Sequence, residues 1–384
     1  MSEIRNLKKL SKRLLKAIAQ KERMVFYLDA DLDGTIAAII LKEAISNLGG
    51  QVCKLYFSDR RREEAGLNKT ALASLKGFSP ALLVLLDCGI SNFDEVELAK
   101  KMGFEVLIVD HHEILGQAPK ASIIVDPKQD KDEFFYDLAA AGLAFKLAEE
   151  LLGKKLKASL RESFIELAAL ATISDMVPEK GENVAIVKEG LPLLENSWRP
   201  GVRVLFNSSV VKNCFSSREI VGKIVSIINV TDKEEETGEL YLLLNSLSLA
   251  EAQSRLDKFL QKASERQLEI EKWVAELKRR VSLQNQEPFI FEGSKDIPQP
   301  LLGTIASHVC DFFERPTFLY KETDSENIGH FRMPPGVNGI EALGFCARLL
   351  RRYGGHAPAG GFYFREKDGE ALRQSLIKYF EERR

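Results

Sequence analysis

This chain has little of what would place it in a membrane or in an oxidising compartment. Its five cysteines are scattered through 384 residues without a CxxC pair, which disfavours structural zinc and indicates a reducing compartment. No stretch reaches the roughly 18 apolar residues that a membrane-spanning helix needs. We therefore expect a cytoplasmic protein with no membrane partner.

A global basic field is also lacking. The formal net charge is −2, from 54 lysines and arginines against 56 aspartates and glutamates. Any binding of nucleic acid would therefore depend on local patches rather than on the overall charge. Three basic patches could serve, at residues 60–62, 278–280 and 348–352.

Three short acidic and histidine-bearing strings stand in order in the first third of the chain. They are DADLDG (29–34), DCG (87–89) and DHH (110–112), and each follows an apolar run typical of a buried parallel strand: MVFYL, ALLVLL and FEVLIV. Because parallel strands end at the same edge of a sheet, these side chains should converge. A fourth carboxylate, Asp175, follows the apolar segment 164–173 and is the expected closing ligand.

This set of residues suits a two-metal phosphoesterase site. Two divalent ions about 3.5–4 Å apart can deprotonate a water near neutral pH and stabilise charge on phosphate oxygens. Carboxylate oxygens with a minority of imidazole nitrogens favour manganese or magnesium. We therefore expect two divalent cations, manganese as first choice and magnesium as the alternative. The side chains of His111 and His112 should diverge, so that one binds metal and the other meets substrate phosphate.

The order of these strings resembles the DHH phosphoesterase superfamily. DADLDG, DCGIS, DHH, SDMVP and GGHAPAGG (354–361) follow one another, and within the superfamily the arrangement is similar to the RecJ-type single-strand exonucleases. Members that act on small substrates usually carry a histidine ahead of the first DxD. This chain has Tyr27, Leu28 and Asp29 there instead, which favours the RecJ-type branch.

The resemblance implies a role for each candidate residue. The metal ligands would be Asp29, Asp31, Asp33, Asp87, His111 and Asp175. Asp87 would bridge the two ions, and Asp110 would orient the histidine pair. Catalysis would involve Asp110, His112 and His356. Substrate would be bound by Arg60, Ser307, Arg332, Gly354, Gly355 and His356.

The chain departs from the family pattern around two of these residues. Arg332 stands at the arginine of the family's GSxRS-like string, but His330 and Met333 replace the serines. Ser307 matches the serine of an ASRL-like string in which His308 replaces the arginine. We expect phosphate recognition in this half of the chain to be altered or weaker.

The pattern predicts an α/β fold with a parallel-sheet DHH domain joined by a long helix to a smaller α/β DHH-associated domain. Strand-like runs alternate with helical patterns from residue 24 to about 126. Residues 239–287 contain neither glycine nor proline, and apolar residues recur there at helical spacing. The expected parts are a catalytic domain with a helical extension (1–245), a connecting helix (246–284) and a substrate-binding domain (285–384).

The expected function is that of a metal-dependent exonuclease on single-stranded nucleic acid. The resemblance implies DNA as substrate, 5′-to-3′ polarity, 5′-mononucleotides as products, and a place in DNA repair and recombination with a replication or repair protein as partner. The chain ends about twenty residues after GGHAPAGG, which predicts a compact form without the family's oligonucleotide-binding barrel.

Two alternatives stay open. One is an oligoribonuclease or a 3′-phosphoadenosine phosphate phosphatase that acts on short substrates. The other is an inactive relative that serves as a replication scaffold. An inactive scaffold would have no reason to keep so many adjacent acids, because neighbouring acids repel each other and raise each other's pKa values. The intact carboxylate set therefore argues against the scaffold.

Overall fold

Two units make up the chain, Met1–Ala263 and Ser264–Arg384. The structure is a computed structural model that describes residues 3–58, 66–114, 117–129, 133–211, 214, 216–228, 233–234, 237–283, 287–324 and 326–382. Across these ranges no helix is both long enough and apolar enough to cross a membrane.

Strands and helices alternate through the first half of the first unit. Its strands are β1 (Met24–Leu28), β2 (Lys54–Phe57), β3 (Ala81–Leu86), β4 (Phe104–Val109), β5 (Ile123–Val125), β6 (Lys233–Glu234) and β7 (Thr237–Gly238). Its helices are α1 (Leu7–Gln20), α2 (Leu32–Asn47), α3 (Lys69–Leu75), α4 (Phe93–Lys101), α5 (Ala140–Leu152), α6 (Ala158–Ser174), α7 (Glu182–Gly190), α8 (Pro200–Phe206), α9 (Ser217–Ile228) and α10 (Glu239–Leu244).

The first five strands form one parallel sheet in the order β2-β1-β3-β4-β5. Since β2 lies on one side of β1 and β3 on the other, the direction of winding reverses between β1 and β3. Open α/β sheets bind their ligands beyond the carboxyl ends of the strands at such a switch point. The topology therefore places the ends of β1 and β3 at the centre of a candidate site.

Helices cover both faces of this sheet. Met24, Phe26 and Leu28 pack in one apolar cluster with α2, α5 and α6, whereas Val25 and Tyr27 pack in another with α3 and α4. All five residues of β1 are buried. A strand buried on both faces has no polar side to alternate, which explains why its sequence is an uninterrupted apolar run.

The second unit is built on a mixed sheet. Its strands are β8 (Ile290–Ser294), β9 (Thr317–Lys321), β10 (Asn327–Arg332), β11 (Arg352–His356) and β12 (Ala359–Phe364). Its helices are α12 (Leu302–Phe313), α13 (Gly339–Phe345) and α14 (Gly369–Glu381). The order is β11-β12-β10-β9-β8, in which only β8 and β9 are parallel.

One helix of 34 residues, α11 (Leu249–Ser282), joins the two units. In the first unit Leu256 and Phe259 of this helix enter the main core, and in the second unit Ile270, Leu277 and Val281 pack beside α12. The predicted fold class is confirmed, with a parallel-sheet domain, a second mixed-sheet domain and a long helix between them.

Candidate metal centre

The strands of the first sheet end level with one another. The register pairs the last residues of β1 and β3, of β3 and β4, and of β4 and β5. The next residue in each case is an aspartate, and its backbone N–H donates to the last carbonyl of the neighbouring strand: Asp29 at 3.2 Å, Asp87 at 2.9 Å and Asp110 at 3.1 Å. The predicted convergence of these strand ends is therefore present in the structure.

The first acidic string folds into a tight turn at the start of α2. Asp31 caps the helix by accepting a hydrogen bond from the backbone N–H of Gly34 at 3.0 Å. Oδ1 of Asp29 accepts from the hydroxyl of Ser58 at 3.1 Å. A Cβ on Gly34 would lie 2.4 Å from the carbonyl oxygen of Asp29, so this turn requires glycine.

Asp33 lies in the first turn of α2 and is buried against the start of α5. Its two carboxylate oxygens accept from the backbone N–H groups of Ala140 at 2.7 Å and Ala141 at 2.8 Å. A helix N-terminus favours negative charge at this point. Even so, burial and then the charges of Asp175 and Asp31 raise the pKa of Asp33 well above its ordinary value. The carboxyl group is held in place, and without a cation it favours the protonated form.

Asp87 is the most constrained acid of the group. It is buried and has a left-handed backbone with φ 60°, which is uncommon for a residue other than glycine. Burial, followed by the charges of Asp33 and Asp31, raises its pKa well above the ordinary value. Within the described residues its Oδ1 makes no hydrogen bond. A buried carboxylate oxygen that makes no hydrogen bond and is surrounded by other acids is a strong indication of a cation site.

His111 lies in the middle of the acids. Its Nε2 is 3.2 Å from Oδ1 of Asp87, 3.5 Å from Oδ2 of Asp175 and 3.7 Å from Oδ2 of Asp33. Burial, together with the charge of His112, lowers the pKa of His111 to about 4. The ring is therefore neutral at pH 7, the state in which an imidazole nitrogen can bind a metal.

His112 is turned to a different partner. Its Nδ1 lies 2.7 Å from Oδ1 of Asp110, and its side chain is 57% exposed. The hydrogen bond to Asp110 raises the pKa of His112 to about 9, so this ring is charged at pH 7. Asp110 is buried, which opposes its ionisation, but His112 and the N–H of Ile90 hold its pKa below the ordinary value. The two histidines thus carry different charges at the same pH.

In the described part of the chain the candidate ligand atoms fall into three groups, and the atoms of each group lie within 4.8 Å of one another. The groups are Asp29–Asp31–Asp87, Asp33–His111–Asp175 and Asp87–His111–His112. The first two contain all six residues predicted as ligands, and the third adds His112, which was predicted to meet phosphate. With five carboxylates, one of which has a buried oxygen without a hydrogen bond, and a neutral imidazole, the site fits two divalent cations that prefer oxygen ligands.

Metal binding should depend on pH, because the raised pKa values of Asp33 and Asp87 favour protons in the metal-free protein. The folded protein holds these protons above the pH at which the unfolded chain loses them, so metal-free stability should fall as the pH rises through this window. Manganese must displace the protons. We expect the manganese-induced rise in Tm to be larger near pH 8 (roughly 3–5 °C at hundredfold excess over Kd) than near pH 5.5. Equal shifts at both pH values would contradict this assignment.

Sequence reasoning missed Asp126. It follows β5, is buried, and accepts from the backbone N–H of Lys128 at 2.7 Å, while its Oδ2 has no hydrogen-bond partner in the described part of the chain. Burial raises its pKa to about 7. The signal was present in the string IIVDPK, where an aspartate again follows an apolar run. None of the ligand groups found among the described residues includes Asp126.

The candidates of the second unit lie on its sheet and on α12. Gly354, Gly355 and His356 are exposed on β11. Gly355 has φ 131°, and a Cβ there would lie 2.5 Å from the opposite strand, so only glycine fits. Arg332, on β10, is half-buried with its guanidinium against the first turn of α12. Ser307 lies further along the same helix.

The structure gives partners for the basic patch at residues 278–280. Arg60 and the rest of 60–62 lie outside the described residues. Arg279 and Arg280 both pair with Glu276, at 3.0 and 2.8 Å, and Nζ of Lys278 lies 3.5 Å from the ring centroid of Phe312. Residues 278–280 are therefore partly neutralised rather than a uniform positive patch.

Comparison with known proteins agrees with this geometry. The model of the DHH family, N-terminal domain, matches residues 23–172. The single-stranded-DNA-specific exonuclease RecJ of Bacillus subtilis is 32% identical over 379 residues, which cover 97% of this chain and 48% of that protein. The chain spans about half the length of the first two curated relatives it matches.

Solved structures also resemble nearly the whole chain, among them two with bound manganese. A crystal structure of exonuclease RecJ bound to manganese has a TM-score of 0.81 and 27% identity, and the match covers 99% of this chain and 95% of that one. RecJ from Thermus thermophilus in complex with Mn²⁺ has a TM-score of 0.80 and 27% identity, with 99% and 55% covered.

Proposed function

Because residues 23–172 of this chain match the model of the DHH family, we propose that the protein is a metal-dependent exonuclease of single-stranded DNA. The observation that carries the proposal is the cluster at the sheet edge. Asp87 belongs to the group of Asp29 and Asp31, and its Oδ1, which makes no hydrogen bond among the described residues, lies 3.2 Å from Nε2 of His111 in the group of Asp33 and Asp175. The names of the relatives support the substrate, and their bound manganese supports the metal. By the resemblance, the polarity is 5′-to-3′ and the products are 5′-mononucleotides.

Each of these two groups would hold one ion, with Asp87 shared. Asp29 and Asp31 complete one set, and Asp33, His111 and Asp175 complete the other. When bound, two divalent ions supply a deprotonated water and stabilise charge on phosphate oxygens.

The two histidines have different roles in this proposal because their rings carry different charges. The neutral ring of His111 faces the ligand cluster. The charged ring of His112 is held by Asp110 through Nδ1, which leaves Nε2 to donate to a phosphate oxygen of the substrate. A cationic ring favours this contact over metal binding, since a protonated imidazole has no free lone pair. Asp110 therefore orients the proton donor.

Phosphate binding by the second unit is part of the same proposal. We assign it to Arg332, Ser307 and His356, with Gly354 and Gly355 allowing backbone to approach the substrate. Arg60 is assigned to the terminal phosphate on the resemblance alone. In the cell the protein would act in DNA repair or recombination, with a replication or repair protein as partner.

The length of the preferred substrate tests the proposal against its alternatives. A strand-tracking exonuclease gains binding energy from several phosphates and stacked bases, whereas a phosphatase or oligoribonuclease gains it from one or two. With manganese present, kcat/KM on single strands should rise as the length of the strand increases from two to about ten nucleotides. It should fall steeply with added salt. A blunt duplex should be a poor substrate.

The assay uses 5′-labelled and 3′-labelled oligonucleotides of equal sequence, so that it also reports polarity. If dinucleotides are the best substrates and salt has little effect, the exonuclease proposal fails in favour of the short-substrate enzyme. If no substrate is hydrolysed, the inactive replication scaffold is the alternative that remains.

A further inference from the structure

Two large apolar side chains are exposed on the segments that precede α5 and follow α6. Phe134 is 46% exposed and Met176 is 89% exposed. Met176 directly follows the candidate ligand Asp175 and has a left-handed backbone, with φ 57°. The backbone of a methionine normally adopts αR or β conformations, so the surrounding loop must hold Met176 in the left-handed conformation.

The loops that carry the two side chains are fixed to each other. The carbonyl oxygen of Phe134 accepts from the N–H of Glu182 at 2.9 Å, and a Cβ on Gly181 would lie 2.0 Å from that oxygen. The side-chain amide of Asn183, itself buried, donates to the carbonyl of Asp137 at 2.6 Å and to that of Pro178 at 3.0 Å. These hydrogen bonds join the two loops that carry the exposed side chains.

Both loops also lead directly into the candidate metal centre. The loop of Met176 begins at Asp175, whose Oδ2 is 3.5 Å from His111. The segment after Phe134 runs into α5, whose first N–H groups hold Asp33. Met176 is thus the direct neighbour of a candidate ligand in the chain, and Phe134 precedes by six residues the N–H group of Ala140 that holds Asp33.

We propose that Phe134, with Met176 on the adjoining loop, is a nucleobase-stacking subsite for the single-stranded substrate. This inference rests on the proposed function and deepens it. Carboxylates and bound cations recognise only the phosphate, whereas every base presents an apolar face that an aromatic ring can stack on. Stacking of this kind is tolerant of sequence, as a non-specific exonuclease requires.

The test compares a normal oligonucleotide with one of equal length that lacks bases at its terminal nucleotides. Phe134→Leu keeps the apolar bulk but removes the aromatic face. We expect it to lower kcat/KM on the normal strand by roughly 5- to 100-fold and to leave the abasic strand unaffected. Phe134→Tyr should restore activity on the normal strand. Trp198→Leu is the matched control, since Trp198 is an aromatic of the same unit that is 63% exposed and lies outside the site.

Binding without hydrolysis supplies a second measurement. The chain contains two tryptophans, and Phe134→Trp adds a third whose fluorescence should be quenched by the normal strand and not by the abasic one. Equal kinetic losses of Phe134→Leu on both strands, or equal quenching by both strands, would overturn the subsite. A wild type that hydrolyses neither strand would instead refute the proposed function, and the quenching experiment would still decide whether bases are bound.

Discussion

Replacing Asp87 with alanine is expected to abolish hydrolysis at any manganese concentration. Asp87 belongs to two of the three ligand groups, and its Oδ1 makes no hydrogen bond with the described residues. If it bridges both ions, its loss leaves two cations insufficiently neutralised and too far from a common ligand to act together. Removal of a ligand at the edge of the cluster should lower the rate of hydrolysis by less. Asp29→Ala should therefore be milder and partly rescued by excess manganese.

The measurement is hydrolysis of a labelled single strand across a manganese titration. Asp87→Asn is needed beside the alanine variant, because φ is 60° at this position and asparagine tolerates a left-handed backbone better than alanine does. Glu166→Gln is the matched control. Glu166 is another buried acid of the same unit, with a pKa raised by burial to about 7, but it bonds to Ser197 away from the cluster. Activity of Asp87→Ala within about tenfold of the wild type would contradict the two-metal interpretation.

The convergence of the acidic strings could be predicted because it depends on local rules. Apolar runs without polar alternation indicate strands buried on both faces, and parallel strands of one sheet end together. The runs before Asp29, Asp87 and Asp110 carry that signal in full. The run before Asp126 is only three residues long, and its aspartate was missed for that reason.

What the sequence could not show is how distant segments act on each ligand. Asp33 is held by N–H groups more than a hundred residues away, at the start of α5. The opposite pKa shifts of His111 and His112 arise because the first ring is buried beside a charged histidine and the second bonds to Asp110. The pairing of Arg279 and Arg280 with Glu276, in contrast, follows the i,i+3 and i,i+4 rule and was readable from the sequence.

His356→Ala and Arg332→Ala are expected to reduce turnover and leave manganese affinity unchanged. All six candidate ligands lie in the first unit, whereas these two residues lie in the second. If His356 donates a hydrogen bond to charge that develops in the transition state, its removal should lower kcat by roughly 10²–10³-fold. Arg332→Ala should act mainly on KM, because a guanidinium that binds a phosphate does so in the ground state as well.

Calorimetric titration with manganese distinguishes these changes in kcat and KM from a loss of manganese binding. Both variants should retain the number of binding events and the affinity of the wild type. Arg365→Ala, which changes an exposed arginine at the end of β12, is the control and should match the wild type in both assays. A lost binding event would show that the second unit contributes a ligand, contrary to the grouping of the six residues in the first. An unchanged kcat in His356→Ala would remove that residue from the catalytic set, and phosphate recognition would then depend on the charged ring of His112 held by Asp110.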